Sequence, residues 1–253
     1  MYLVGAVTFL KWVMVYGVAG LGLQLLFDKD LRKWKWFRMT EKRKMFTVEN
    51  EHATVIGLTQ HGKTYGTIKT LERMDEAILF FNTNHTSGLN NTWVEAAGGN
   101  TVDQVIYGLQ HGYKINFLPS DDIKKAGKQL KAIVDEMYNL GRGAIKCRIV
   151  VDEVHLFWMM KSEEGKQANL RLATTGLGRG LTCMWLSQRP AMVDNTLYTQ
   201  STKHIIFALG LNDMSYLKNI GFPVEEIKGR TGQEKYKYCE FDQKEVKGAY
   251  MID

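Results

Sequence analysis

The chain has 253 residues, 45% apolar and 24% charged, with three prolines and a net charge of +6. Such a length accommodates one full α/β domain with an appendage, and so few prolines exclude a long Pro-rich linker. The three cysteines, Cys147, Cys183 and Cys239, are far apart and lack any CxxC or Cys/His spacing. That pattern argues against a structural zinc site and for a reducing compartment. The basic balance is compatible with a nucleic acid or an anionic membrane as partner, and requires neither.

Residues 1–27 are almost wholly apolar, with Lys11 as the one charge and Gln24 as the one amide. About 20 apolar residues cross a bilayer as a helix, so this stretch reads as a transmembrane anchor. Gly17, Ala19, Gly20 and Gly22 form a small-residue patch suited to close helix packing. Residues 28–45 follow as a basic-aromatic juxtamembrane segment, in which Lys29, Arg32, Lys33, Lys35, Arg38, Lys42, Arg43 and Lys44 interleave with Trp34, Trp36 and Phe37. An excess of Lys and Arg belongs on the cytoplasmic side, which points the remainder of the chain inward. A cleaved signal peptide and a buried helix of the core are the other readings of the apolar stretch. The basic-aromatic segment suits direct contact with nucleic acid as well.

Within residues 46–253, a short strand beginning near Ala53 leads into Gly57-Leu58-Thr59-Gln60-His61-Gly62-Lys63-Thr64, and Tyr65 opens a helix. Strand, GxxxxGK[ST] and helix in this order define a phosphate-binding loop. Gly57 and Gly62 let the backbone curl so that successive N–H groups converge on an anion, and the helix N-terminus points at the same place. Lys63 supplies a point charge for the β- and γ-phosphates of ATP, and the Thr64 hydroxyl is a ligand for Mg²⁺. The loop therefore predicts Gly57 to Tyr65 as the nucleotide-binding residues.

Ala77–Asn82 reads as a second strand. Ile149-Val150-Val151 is a continuous apolar run of the kind found in buried parallel strands, and it ends in Asp152-Glu153. Acids at such a strand end lie where open α/β sheets bind ligands. Asp152 is assigned to Mg²⁺ and Glu153 to the water that attacks the γ-phosphate. A third strand, Thr182–Ser187, leads into Gln188-Arg189-Pro190, and the Gln188 amide is placed to sense the γ-phosphate unless it is only a turn residue. A fourth strand is expected at His204–Leu209. Arg171 and Arg179, just ahead of the third strand, are candidates for an arginine that reaches a neighbouring subunit's nucleotide, with Arg179 preferred. The alternative for either is a solvent-facing or acid-paired side chain.

Together, GLTQHGKT, IVVDEVH, GLGRGLTCMWLSQRP and ALGLND resemble the FtsK–HerA superfamily of DNA-pumping ATPases over roughly residues 50–240. The short chain looks like the genome-packaging ATPases of membrane-containing double-jelly-roll viruses. That resemblance implies a RecA/HerA-like domain with a mainly parallel sheet. It also implies a homo-oligomeric ring, hexameric in the family, that threads double-stranded DNA, with Gln188 as sensor and an arginine acting in trans. Capsid or portal-vertex proteins become candidate partners, and the protein is expected on a membrane or in a virion. His61 departs from the small residues commoner within such loops. The loop 87–105 and the helix around 121–141 are expected as inserts facing a pore. Lys124, Lys125, Lys128 and Lys131 form a basic stripe on that helix, which a solvated face explains equally.

The reading drawn from the sequence is a membrane-anchored, Mg²⁺-dependent ATPase that moves duplex DNA. Its rivals are a membrane-linked assembly, extrusion or conjugation-type ATPase that moves single strands or protein, a small-molecule P-loop kinase, and a scaffold that binds nucleotide only to assemble.

Overall fold

A computed structural model describes residues 41–43, 46–87, 89–97 and 101–252. The anchor expected over 1–27 lies outside the described residues, as does nearly all of the segment 28–45. Among the described residues no helix is long and apolar enough to cross a membrane.

In chain order the elements are β1 (Glu41–Arg43), β2 (Ala53–Ile56), α1 (Lys63–Leu71), β3 (Ala77–Phe81), β4 (Trp93–Ala97), α2 (Thr101–Gln110), β5 (Lys114–Leu118), α3 (Ile123–Asn139) and β6 (Cys147–Val151). Then come α4 (His155–Met159), α5 (Glu163–Thr175), β7 (Leu181–Ser187), α6 (Asn195–Thr199), β8 (Lys203–Ile206), α7 (Leu211–Asn219), α8 (Val224–Thr231), β9 (Lys237–Phe241) and β10 (Val246–Ile252). They build one ten-stranded sheet in the order β1-β10-β9-β8-β2-β7-β6-β3-β5-β4. From β8 to β4 every pairing is parallel, whereas β9 runs antiparallel to β8 and β10 antiparallel to β9.

The central strands are apolar on both faces because both faces are covered. Ile149 and Val151 of β6 and Cys183 and Trp185 of β7 face a core shared with α2, α3 and α5. Val150, Met184 and Leu186 point the other way, towards Ile68 and Leu71 of α1 and towards Phe46, Tyr238 and Ile252. Burial on both sides makes these strands continuous apolar runs, which is why they were legible. The order of the strands matters more for the site. β6 and β7 enter the sheet between β2 and β3, so the strand carrying Asp152 lies one strand away from the phosphate-loop strand, and β7 fills the gap.

Two expectations are corrected. Residues 87–105 are not a loop throughout: they contain edge strand β4, paired with β5 from Trp93↔Lys114 to Ala97↔Leu118, and the start of α2. Trp93 packs its ring 6.1 Å from that of Phe80 on one face of the sheet and Ala96 is buried in the core on the other, so this short edge strand is anchored on both faces. Nor is the helix around 121–141 an insert. It is α3, the crossover from β5 to β6, capped by the Asp122 carboxylate, which accepts from the Lys124 N–H at 2.9 Å. Ala126, Leu130, Ile133, Val134 and Met137 bury its inner face. Lys124, Lys125 and Lys128 are exposed on the outer face, and half-buried Lys131 pairs with Asp135.

Candidate functional site

The site is assembled at the C-terminal ends of β2, β3, β6 and β7, where parallel strands present their loops together. The phosphate loop leaves β2 with Gly57 at φ +148°, and an added Cβ there would lie 2.6 Å from the Phe207 Cβ. Gly57 donates its N–H to the Ser187 carbonyl of β7 at 3.2 Å, and Leu58 donates to Ala208 beyond β8 at 2.8 Å. The loop is thus pinned to both neighbours. Gly62, at φ +99°, caps α1 in the left-handed region that favours glycine. Lys63 is buried, and its Nζ crosses the loop to donate to the Leu58 carbonyl at 2.9 Å. Thr64 is half-buried and Tyr65 exposed on the first turn of the helix.

Opposite the loop stand Asp152 and Glu153, both buried. Glu153 adopts φ +46°, a strained conformation for a residue with a side chain. Its Oε1 accepts from Gln188 Nε2 at 2.7 Å and from Asn84 Nδ2 at 3.3 Å. The same Asn84 amide donates to Asp152 Oδ2 at 3.2 Å. Gln188 in turn accepts the Thr59 hydroxyl of the phosphate loop on its Oε1. A continuous polar chain therefore runs from loop to glutamate, Thr59 to Gln188 to Glu153, with Asn84 bridging the two acids. This chain exists because β7 lies between β2 and β6, which places the tip of β7 between loop and acid.

His155, at the start of α4, holds Nδ1 3.2 Å from Glu153 Oε2 and 3.4 Å from the Ser187 hydroxyl. Glu153 Oε2 is buried yet makes no hydrogen bond. The electrostatics follow from crowding two acids and a lysine away from water. Burial, reinforced by the Glu153 charge, pushes the Asp152 carboxyl up to about 7. Burial also raises Glu153, against the opposing pull of Lys63, and lowers Lys63 despite both acids. His155 falls to about 4 through burial and the nearby Arg189 and Lys63 charges.

Lys63, Asp152, Glu153 and Gln188 are brought together as the motifs predict. Asn84 and Tyr236, whose N–H donates to the His61 carbonyl at 3.0 Å, are added from elsewhere in the chain, and His155 from two residues beyond Glu153. Nothing local distinguishes Asn84, just beyond β3, from its neighbours Asn82 and Thr83. Arg171 and Arg179 stand apart. Arg179 ends the 3₁₀ turn Leu177–Arg179 that precedes β7, at the opposite end of the sheet from the loop. The two guanidiniums flank the Tyr138 ring at 3.8 and 4.3 Å, with Arg179 donating to the Tyr138 carbonyl and Arg171 to Asp135.

A parallel sheet with this strand order, flanking helices and a GxxxxGKT loop opposite strand-end acids defines the P-loop NTPase fold. No family model and no curated protein matches the chain. Among solved structures it is similar to the genome packaging NTPase B204 from Sulfolobus turreted icosahedral virus 2 in complex with AMPPCP, with a TM-score of 0.55 and 14% identity over 81% of this chain and 99% of that one. It is also similar to the pCW3 conjugation coupling protein TcpA with ATPγS, with a TM-score of 0.53 and 15% identity over 81% of this chain and 61% of the other. The cytoplasmic domain of the Thermomonospora curvata Type VII secretion ATPase EccC has a TM-score of 0.50 and 14% identity, over 79% and 24%. At such identities the likeness is one of fold, and it agrees with the FtsK–HerA resemblance carried by the motifs.

Proposed function

We propose that the chain is an ATP-hydrolysing motor that moves double-stranded DNA, in the role of a viral genome-packaging ATPase. The observation that carries the hydrolytic part is the convergence of Lys63, Glu153 and Gln188 on one buried site facing the phosphate loop. A protein that only binds nucleotide has no need of Glu153 hydrogen-bonded to a γ-phosphate sensor.

In this reading the loop amides, the α1 N-terminus and Lys63 hold the triphosphate. Gln188 meets the γ-phosphate and passes its position to Glu153. Glu153, whose burial raises its proton affinity, orients the attacking water and takes its proton. Its Oε2, buried and without a hydrogen bond, is the acceptor left for that partner. The residues also fit Mg²⁺. Two buried acids face a single buried lysine, an excess of negative charge that a divalent cation would balance, with the Thr64 hydroxyl and Asp152 as its protein ligands. Among the described residues no cluster of three His, Cys, Asp or Glu side chains forms a metal cage, and Mg²⁺ bound through nucleotide phosphates uses only one or two protein ligands. When bound, the ion neutralises phosphate charge.

Duplex DNA as cargo is supported by the SQRP block after β7 and by the likeness to a genome-packaging NTPase. A ring with Arg179 acting in trans and an N-terminal membrane anchor complete the reading, and capsid proteins at the packaging vertex are the expected further partners. The likeness to a conjugation coupling protein and a secretion ATPase favours, as second reading, a motor that moves single strands or protein across a membrane.

The test is ATP hydrolysis by the detergent-solubilised full chain, with duplex DNA, single-stranded DNA or neither, alongside Lys63→Ala and Glu153→Gln. Stimulation by duplex DNA, with both variants slowed about 10²-fold or more, is the expected result. Hydrolysis indifferent to duplex DNA moves the assignment to the second reading.

A further inference from the structure

Glu153 and Gln188 stand just beyond β6 and β7, on one side of the phosphate loop. In the P-loop reading they meet the terminal phosphate, and the rest of the nucleotide then leaves on the other side, across the first turn of α1 and towards β8, β9 and β10. Two aromatic rings stand at that rim. Tyr65 sits on the first turn of α1, and Tyr236 on the loop that joins α8 to β9. Both are 44% exposed, and their rings meet edge-on, with centroids 6.2 Å apart and planes at 77°.

Tyr236 is held there by the backbone. Its N–H donates to the His61 carbonyl of the phosphate loop, and its own carbonyl accepts from the Ile252 N–H of β10, each at 3.0 Å. Its ring lies against Gly62, where an added Cβ would come within 2.6 Å of the ring Cδ1. The residue has φ +62°, a left-handed conformation that a bulky aromatic side chain rarely adopts. Strain of this kind persists where the surroundings over-determine it, and it gathers at ligand sites. Here it turns a half-exposed ring onto the rim of the phosphate loop rather than into the core. The Lys69 ammonium, 5.9 Å from the Tyr65 ring centroid, packs against the second ring.

We propose that Tyr236, with Tyr65, forms a shelf on which the nucleobase stacks. The inference rests on the P-loop reading and extends it to the base end of the site. Recognition by a π-face is tolerant of base identity, because every base offers one. The shelf therefore takes nucleoside triphosphates without strong discrimination between bases.

Equilibrium binding to the full solubilised chain tests this, with ATPγS, GTPγS and inorganic tripolyphosphate as probes. Tyr236→Ala is expected to raise the Kd for both nucleotides about tenfold and to leave that of tripolyphosphate unchanged. Tyr236→Phe is expected to bind all three like the wild type. An equal loss for nucleotides and tripolyphosphate overturns the proposal, since it would show that the ring only props Gly62. Unchanged nucleotide binding in Tyr236→Ala overturns it as well. If the wild type binds none of the three probes, the P-loop reading itself falls, which is a separate outcome.

Discussion

Glu153 makes contact with more of the site than any other side chain there. Gln188 and Asn84 share one carboxylate oxygen, and His155 faces the other at 3.2 Å. Holding a buried acid this tightly removes orientations it would otherwise sample, which is how preorganised sites gain rate. The same burial that tunes Glu153 keeps three histidines neutral: burial is the first cause that lowers His52 and His155 to about 4 and His204 to about 3. Because their folded values lie below the ordinary 6.5, the stability they carry is complete above about pH 6.5 and is lost as pH falls towards 3–4. Asp152 has the opposite sign: raised to about 7, it contributes stability at low pH that is lost as pH rises through that value. His204 isolates the histidine effect, since it lies far from the acids, hydrogen-bonded to Thr54 at 2.7 Å and packed on Phe222 and Phe241. In His204→Gln, the slope of unfolding free energy between pH 6.5 and 4 should flatten by up to about 1.4 kcal/mol per pH unit. Urea titrations across that range would show it, and an unchanged slope would place the histidine in water.

The pairing of α3 with α5 depends on glycine. A Cβ at Gly127 would lie 2.0 Å from the Ser162 hydroxyl oxygen and 2.9 Å from the backbone nitrogen of Gly165, and a Cβ at Gly165 would strike the Phe157 ring. The Ser162 side chain can turn away, but the backbone of α5 cannot. Gly127→Ala should therefore destabilise the fold by about 1–3 kcal/mol despite the better helix propensity of alanine. Chemical denaturation with an unchanged m-value is the check, and a stabilised variant would mean that the helices stand further apart. These two helices cover the face of β6 and β7 beneath Asp152 and Gln188, so looser packing here reaches the site. At the same scale the chain was only partly legible. β2, β6 and β7 declared themselves as short, largely apolar runs. β4 did not, because a five-residue edge strand beside glycines and asparagines carries half the apolar signal and is defined by pairing with β5 rather than by its own pattern.

At the scale of the molecule, Arg179 and the nucleotide loop lie at opposite ends of the sheet, so an arginine that serves catalysis from this position must serve another subunit. Its guanidinium is already ordered, stacked on Tyr138 and bonded to the Tyr138 carbonyl at 3.1 Å. If it acts in trans, Arg179→Ala and Lys63→Ala subunits, each inactive alone, should recover hydrolysis when mixed, since a mixed ring pairs an intact loop with an intact arginine. A trans arginine is worth ~10³–10⁵ in rate, so even partial recovery is readily measured. No recovery on mixing would return Arg179 to a structural role, that of bracing Tyr138 together with Arg171.

By itself, the sequence determined the phosphate loop, the acids at the end of β6 and the amide at the end of β7. Each is a contiguous motif whose chemistry depends on local backbone: glycines that permit positive φ, a lysine one residue on, a buried strand that stops at a carboxylate. What only the tertiary structure decided is which groups complete them. Thr59 meets Gln188, Asn84 bridges Asp152 and Glu153, and Tyr236 closes over Gly62, because the sheet order sets β7 between β2 and β6 and brings the chain after α8 back to the loop. Those contacts join residues 68 to 174 positions apart, and no local spacing encodes them. They arise from the burial of apolar strands on both faces, which fixes the order of the strands and thereby the neighbours at their tips.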